Sequence, residues 1–136
     1  MDHRSRVAAI AGALVAGTIL AGCAATLNHP HNTITAVPST DGVQHVKVVA
    51  HSFWFEPDSI VVRAGVPVEL KLVNASWIVP HNFSMRAPDA GVEVHQNISW
   101  PVTVRFTVRE PGTYAFFCHE DKHAGKGMTG TLTAVK

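Results

Sequence analysis

Residues 114–130 read YAFFCHEDKHAGKGMTG. An aromatic run ends on Cys118, His123 follows five residues later, Met128 five beyond that, and a strand-like MTGTLTAV resumes at residue 128. The run starts from the turn signal Pro111-Gly112, and Tyr114, Phe116 and Cys118 share one strand parity, so a strand that buries Tyr114 also buries Cys118. Gly125 and Gly127 let the chain double back. Cys118 and Met128 therefore flank a single loop with His123 near its middle. A further donor, His81, closes the loop VNASWIVPHNF (residues 73–83), and a sandwich can bring that end beside the 118–128 loop.

From Val43 onward the pattern is all strand. VPVELKLVN (66–74) alternates, with Val66, Val68, Leu70 and Leu72 on one side and Glu69 and Lys71 on the other. WPVTVRFTVRE (100–110) repeats the two-residue period, with Val102, Val104, Phe106 and Val108 inward and Thr103, Arg105, Thr107 and Arg109 outward. VQHVKVVA (43–50) and SFWFEPDSIVVRAG (52–65) are β-branched and aromatic, and no helical stripe interrupts them. Turn signals at Glu56-Pro57-Asp58, Ala64-Gly65, Pro88-Asp89-Ala90-Gly91 and Pro111-Gly112 punctuate the strands. The expected fold is all-β, a Greek-key antiparallel sandwich or barrel.

Two imidazoles, a thiolate and a thioether are a selective donor set. Zinc takes Cys and His but seldom a thioether, calcium and magnesium require oxygen, and iron–sulfur clusters require more cysteines. A Cys-His-His site with a weak axial Met is the arrangement of blue copper, so His81, Cys118, His123 and Met128 are the expected ligands of one copper ion cycling between Cu(I) and Cu(II).

The segments PHNF (80–83), PGTYAFFC (111–118) and HAGKGMTGTLTA (123–134) resemble the cupredoxins, the small blue-copper proteins of the plastocyanin, azurin and pseudoazurin kind. The resemblance covers about Val43 to Lys136, and HAGKGM is similar to the plastocyanin His-x4-Met motif. It implies the same four ligands and a supporting role for Asn82, which falls where the family has an asparagine tying the two ligand loops together, its backbone amide near the copper thiolate. Four residues separate Cys118 from His123, against two in plastocyanin, a spacing that resembles phytocyanins and azurins.

The N-terminus reads differently. MDHRSR is a basic start, VAAIAGALVAGTI an uncharged apolar run, and LAGC (20–23) resembles a bacterial lipobox. Residues 1–22 are expected to be a lipoprotein signal peptide and Cys23 the lipidated residue of the mature chain, since Val7–Gly22 is 16 residues against the roughly 20 that span a bilayer. Residues 24–42, rich in Thr, Asn, Pro, Ser and Gly, read as a flexible tether continuing from Cys23, with His29 and His31 a solvated His-x-His pair. The copper domain is then 43–136. With Cys23 acylated, Cys118 is left unpaired in an oxidising compartment, where a free thiol calls for burial, catalysis or a metal.

Composition narrows the partners. Hydrophobic residues are 46% and charged residues 15% of the 136, enough for one packed domain. Removing Asp2, Arg4 and Arg6 with the signal leaves nine basic against nine acidic side chains, a balance without a field for nucleic acid or anionic lipid. His45, His51 and His95 read as solvated or structural, His119 as pointing away from Cys118, Met85 as core, and Trp54, Trp77 and Trp100 as core or loop packing. The expected role is extracytoplasmic electron transfer between redox protein partners, with the membrane reached through lipid and no small-molecule substrate. Copper storage or delivery is the alternative. A Cys118-His123 nucleophilic dyad lacks a cleft and an oxyanion arrangement, so no enzyme is expected.

Overall fold

The computed structural model describes residues 29–136, so the expected signal peptide and Cys23 lie outside the described residues. Ten strands form: β1 (Thr33–Thr35), β2 (Gln44–His51), β3 (Trp54–Glu56), β4 (Ser59–Arg63), β5 (Val68–Asn74), β6 (Asn82–Ala87), β7 (Val92–Asn97), β8 (Val102–Phe106), β9 (Gly112–Phe117) and β10 (Thr129–Val135). They make a six-stranded sheet in the order β1-β4-β10-β9-β6-β7 and a four-stranded sheet in the order β3-β2-β5-β8. Among the described residues no helix is long and apolar enough to cross a membrane.

Alternation directs the packing. In β2, Gln44, Val46, Val48 and Ala50 are buried, and in β5 so are Val68, Leu70 and Leu72. The outward Glu69 pairs with Arg105 of β8, Nη2 to Oε2 at 2.5 Å, and with His45 of β2 at 3.2 Å. Strand β8 keeps the expected alternation, yet Val102, Val104 and Phe106 are only half-buried because β8 is the edge of its sheet. Gln44 is the buried polar exception. Its amide nitrogen donates to the carbonyls of Arg63 and Val66 and its oxygen accepts from the Arg63 N–H, so one side chain satisfies the turn that follows β4.

The expected sandwich forms, but its sheets are mixed rather than purely antiparallel. The pairs β1–β4, β4–β10 and β2–β5 are parallel. Hairpins make antiparallel neighbours, whereas a chain that crosses from one sheet to the other can return alongside an earlier strand in the same direction. The expected tether is also shorter than read. Thr33–Thr35 lies beside Ser59–Val61, Ser59 donates to the Asn32 carbonyl at 3.1 Å, and Ala36 donates to the Val61 carbonyl at 2.8 Å. The ordered sandwich thus begins ahead of Val43, because β4 would otherwise present a row of unpaired backbone groups.

Three aromatic rings fill the core where the two sheets meet. Phe83 stacks on Phe116 at 4.9 Å between centroids, and Phe55 meets them edge-on at 5.9 and 5.5 Å. Phe83 lies two residues beyond His81, and Phe116 two residues before Cys118. The same pleat that buries these rings therefore turns His81 and Cys118 inward.

Candidate metal centre

Sheet order brings the donors together. Strands β10, β9 and β6 are consecutive neighbours, with Thr129 and Ser84 both facing Phe117. Cys118 follows the end of β9, Met128 precedes the start of β10, and His81 precedes β6, so the three side chains emerge at one end of adjacent strands. Cys118 donates its N–H to the Met128 carbonyl at 3.1 Å, and Met128 donates its own to the His123 carbonyl at 3.1 Å. Between them the chain winds through a 3-10 turn, Ala124–Lys126, closed by Gly127 at φ 101°, a left-handed conformation that a side chain would strain.

His81 Nδ1 lies 3.9 Å and His123 Nδ1 3.6 Å from Cys118 Sγ. The three ligand atoms are all within 4.8 Å of one another. Cys118 and Met128 are fully buried, and of the two buried histidines His123 is the more exposed, at 9% against 3% for His81. Asn82 ties the two loops together. Its backbone N–H points at Cys118 Sγ (3.5 Å), its side-chain oxygen accepts from the His119 N–H (2.6 Å), and its amide nitrogen donates to Glu120 Oε1 (3.2 Å). A soft sulfur and two imidazole nitrogens at this separation, with the buried Met128 at the end of the same loop, fit one copper ion.

Burial decides the electrostatics of His81. Desolvation first, then the neighbouring His123, push its pKa from an ordinary 6.5 down to about 4, while Glu120 acts in the opposite direction. Its Nε2 has no hydrogen-bond partner among the described residues, so a proton there would be buried without an acceptor. The unfolded chain binds a proton at this residue near pH 6.5, whereas the folded chain does not until about pH 4. Stability of the metal-free protein is therefore expected to fall as the pH drops through that window and to level off below it, by about 3 kcal/mol. Denaturant unfolding of the metal-free protein at pH 7 and at pH 4 measures this. A His81→Asn variant should lose most of the dependence, and equal slopes in both proteins would remove His81 as its source.

Other histidines stay outside the cluster. His119 is exposed and packs edge-on against His95, which contacts Ser84 Oγ at 2.8 Å. His51 pairs with Glu56 and His45 with Asp41 and Glu69. Met85 is core, as expected. Trp77 and Trp100, expected to pack in the core or its loops, are 99% and 82% exposed on the β5–β6 and β7–β8 connections, and Trp54 is half-buried between His29 and His51. Phe53 was invisible from sequence. Its ring meets His123 edge-on at 5.0 Å and carries the Lys126 ammonium 3.9 Å above its face. No spacing rule links it to the 118–128 loop; only its φ of 73°, rare outside glycine, marks it, and that is a property of the fold. His29 and His31, read as a solvated pair, both lie near Asp58: His31 stays exposed while bonded to it, and His29 is half-buried against Trp54.

A two-sheet sandwich with a buried sulfur-and-imidazole centre between adjacent strand ends is a small metalloprotein of the copper-binding class. The family model of the Cupredoxin-like domain matches residues 14–134, and the chain belongs to that family. It is 38% identical over 87 residues to chloroplastic plastocyanin of Hordeum vulgare, covering 58% of this chain and 53% of that protein. The chain thus spans about half the length of that relative. Over 89 residues it is 32% identical to cytochrome c oxidase subunit 2 of Thermus thermophilus, covering 64% and 62% of the two chains. The reduced auracyanin of Roseiflexus castenholzii has the same fold, with a TM-score of 0.57 at 17% identity over 68% of this chain and 97% of its own.

Proposed function

We propose that this chain is a blue-copper electron carrier that passes one electron at a time between redox proteins outside the cytoplasm, held to a membrane by lipid on Cys23. The observation that carries the reading is the buried Cys118 Sγ with the Nδ1 atoms of His81 and His123 at 3.9 and 3.6 Å. His81, Cys118, His123 and Met128 would hold the ion, which when bound supplies a one-electron Cu(I)/Cu(II) couple.

The chain's own part is to fix these donors and keep water from them. Cys118 is clamped by the Asn82 N–H on its sulfur and by the Met128 carbonyl on its backbone. Such anchoring resists rearrangement of the ligands between oxidation states, which keeps electron transfer fast. His123 supplies the way in and out. Ala124, Gly125 and Gly127, which follow it in the chain, are small residues that would let a partner approach. The exposed Lys122, Lys126 and Asp121 frame that approach with mixed charge. Similarity to plastocyanin and to an oxidase subunit supports a partner in an electron-transfer chain. Adding Cu(II) to the purified protein and recording the visible and electron paramagnetic resonance spectra tests the reading, and absence of an intense thiolate-to-copper band would overturn it.

Two variants of Met128 examine the axial donor. A thioether is soft and favours Cu(I), whereas an amide oxygen is harder and favours Cu(II), so Met128→Gln is expected to lower the reduction potential with the colour retained in altered form. Met128→Leu is expected to raise it, because an apolar wall disfavours the more charged oxidised ion. Loosening of the loop would move both in one direction. Voltammetry at one pH is the measurement, and identical potentials in all three proteins would show that Met128 is not a ligand.

Lipid attachment is tested separately. In Cys23→Ala the copper domain is expected to remain intact but to leave the membrane fraction, because several acyl chains on one residue, at about 0.8 kcal/mol per buried methylene, hold a chain durably to a bilayer. Complete retention of the variant in membranes would mean that the apolar run 7–22 is itself the anchor.

A further inference from the structure

On the flank of the sandwich a second group of donors converges that the electron-transfer reading does not use. His29 and His31 arrive from the N-terminal segment and Asp58 from the turn between β3 and β4, and one ligand atom of each lies within 4.8 Å of the others. His31 Nδ1 is 2.5 Å from Asp58 Oδ2. Asp58 is 9% exposed and tightly held. Its Oδ1 accepts the Asn32 N–H at 2.9 Å, and its backbone carbonyl accepts from Thr131 of β10 at 2.9 Å. Among the described residues no Lys or Arg pairs with this carboxylate; His31 is its one ionic neighbour. A buried carboxylate without a fixed positive charge favours a cation.

His29 is oriented by its neighbours. Its ring stacks on Trp54 at 5.1 Å with 9° between planes and meets His31 edge-on at 5.2 Å. Its Nδ1 is buried with no hydrogen-bond partner among the described residues. The three donors border a cavity of about 300 Å³ that Gly127, Thr129 and Thr131 also line. His31, 86% exposed, leaves the cavity open to solvent.

We propose that His29, His31 and Asp58 form a second, exchangeable site for a divalent cation of the zinc type, separate from the Cys118 centre. Two imidazoles and a carboxylate with no sulfur suit Zn(II), which takes three protein ligands and a water in its open sites. A cation bound there ties the N-terminal segment to the β3–β4 turn, beside the residues that flank Met128. The cation would reinforce a link that β1, the His31–Asp58 pair and the Asn32-to-Asp58 bond already make.

The test is calorimetric titration of Zn(II) into the full chain after the Cys118 centre has been filled with copper, and in parallel into Cys118→Ser protein, so that the outcome does not depend on that centre. One equivalent of zinc is expected to bind in both. His29→Ala/His31→Ala and, separately, Asp58→Asn are expected to weaken it by about tenfold or more. The histidine pair lies on an exposed segment whose truncation leaves the core untouched, and circular dichroism verifies the fold of the Asp58 variant. If these residues serve only to pin the segment, zinc will fail to bind or will bind with the same affinity in wild type and variants, and either result overturns the proposal.

Discussion

Copper-loaded Cys118→Ser is expected to be nearly colourless. The intense visible band of a blue-copper centre needs a covalent sulfur orbital that donates charge to the ion, and a serine oxygen is hard, remains protonated and supplies no such orbital. Serine nearly matches cysteine in volume, so the 118–128 loop keeps its Cys118-to-Met128 backbone bond, and the Asn82 N–H still faces residue 118. Loss of colour would then report the missing thiolate rather than a collapsed loop. The measurement is absorbance per bound copper, with electron paramagnetic resonance to show that any bound ion has become an ordinary tetragonal one. Undiminished absorption would remove the proposed centre altogether.

Gly130→Ala is expected to cost about 3 kcal/mol of stability or more. Gly130 lies in β10 opposite Phe116 of β9, and a Cβ there would sit 2.3 Å from the end of the Phe116 ring and 2.6 Å from the backbone carbonyl of Asp58. The ring could swing only into Phe55 and Phe83, which pack against it, and the carbonyl is fixed by its bond from Thr131. Neither neighbour yields cheaply in a close-packed interior. Since Phe116 lies two residues before Cys118 on the same strand face, the visible band should shift in the surviving folded protein. Chemical unfolding of wild type and variant gives the free energy, and a difference under about 1 kcal/mol would mean that the strands separate there more readily than the packing implies.

What could be read in advance follows from how far each signal reaches. The alternation in β5 and β8 is local, and both strands form where it places them. The two-residue period is the same for parallel and antiparallel neighbours, so the direction of the β2–β5 and β4–β10 pairs was invisible. Strand β1 carries three exposed residues and no alternation of burial, and it is held by backbone bonds that any sequence could make. Cys118, His123 and Met128 share one short loop and so could be grouped from spacing. His81 joins them only because β6 lies beside β9, and Asn82 rested on family resemblance until its bonds to residues 118–120 appeared. The approach of His29 and His31 to Asp58 spans the outer edge of a sheet and left no local trace.

Trp77 and Trp100 stand almost fully in solvent, whereas Trp54 is sandwiched between the imidazoles of His29 and His51, at 5.1 and 4.1 Å. Fluorescence of the native protein should consequently be dominated by two red-shifted, water-exposed indoles whose emission barely changes on denaturation. The third indole carries almost all of the information. Replacing Trp77 and Trp100 by Phe would leave a single-tryptophan protein in which Trp54 acts as an internal optical gauge, quenched while the imidazoles hold it and brightening when the N-terminal segment peels away before the sandwich itself comes apart.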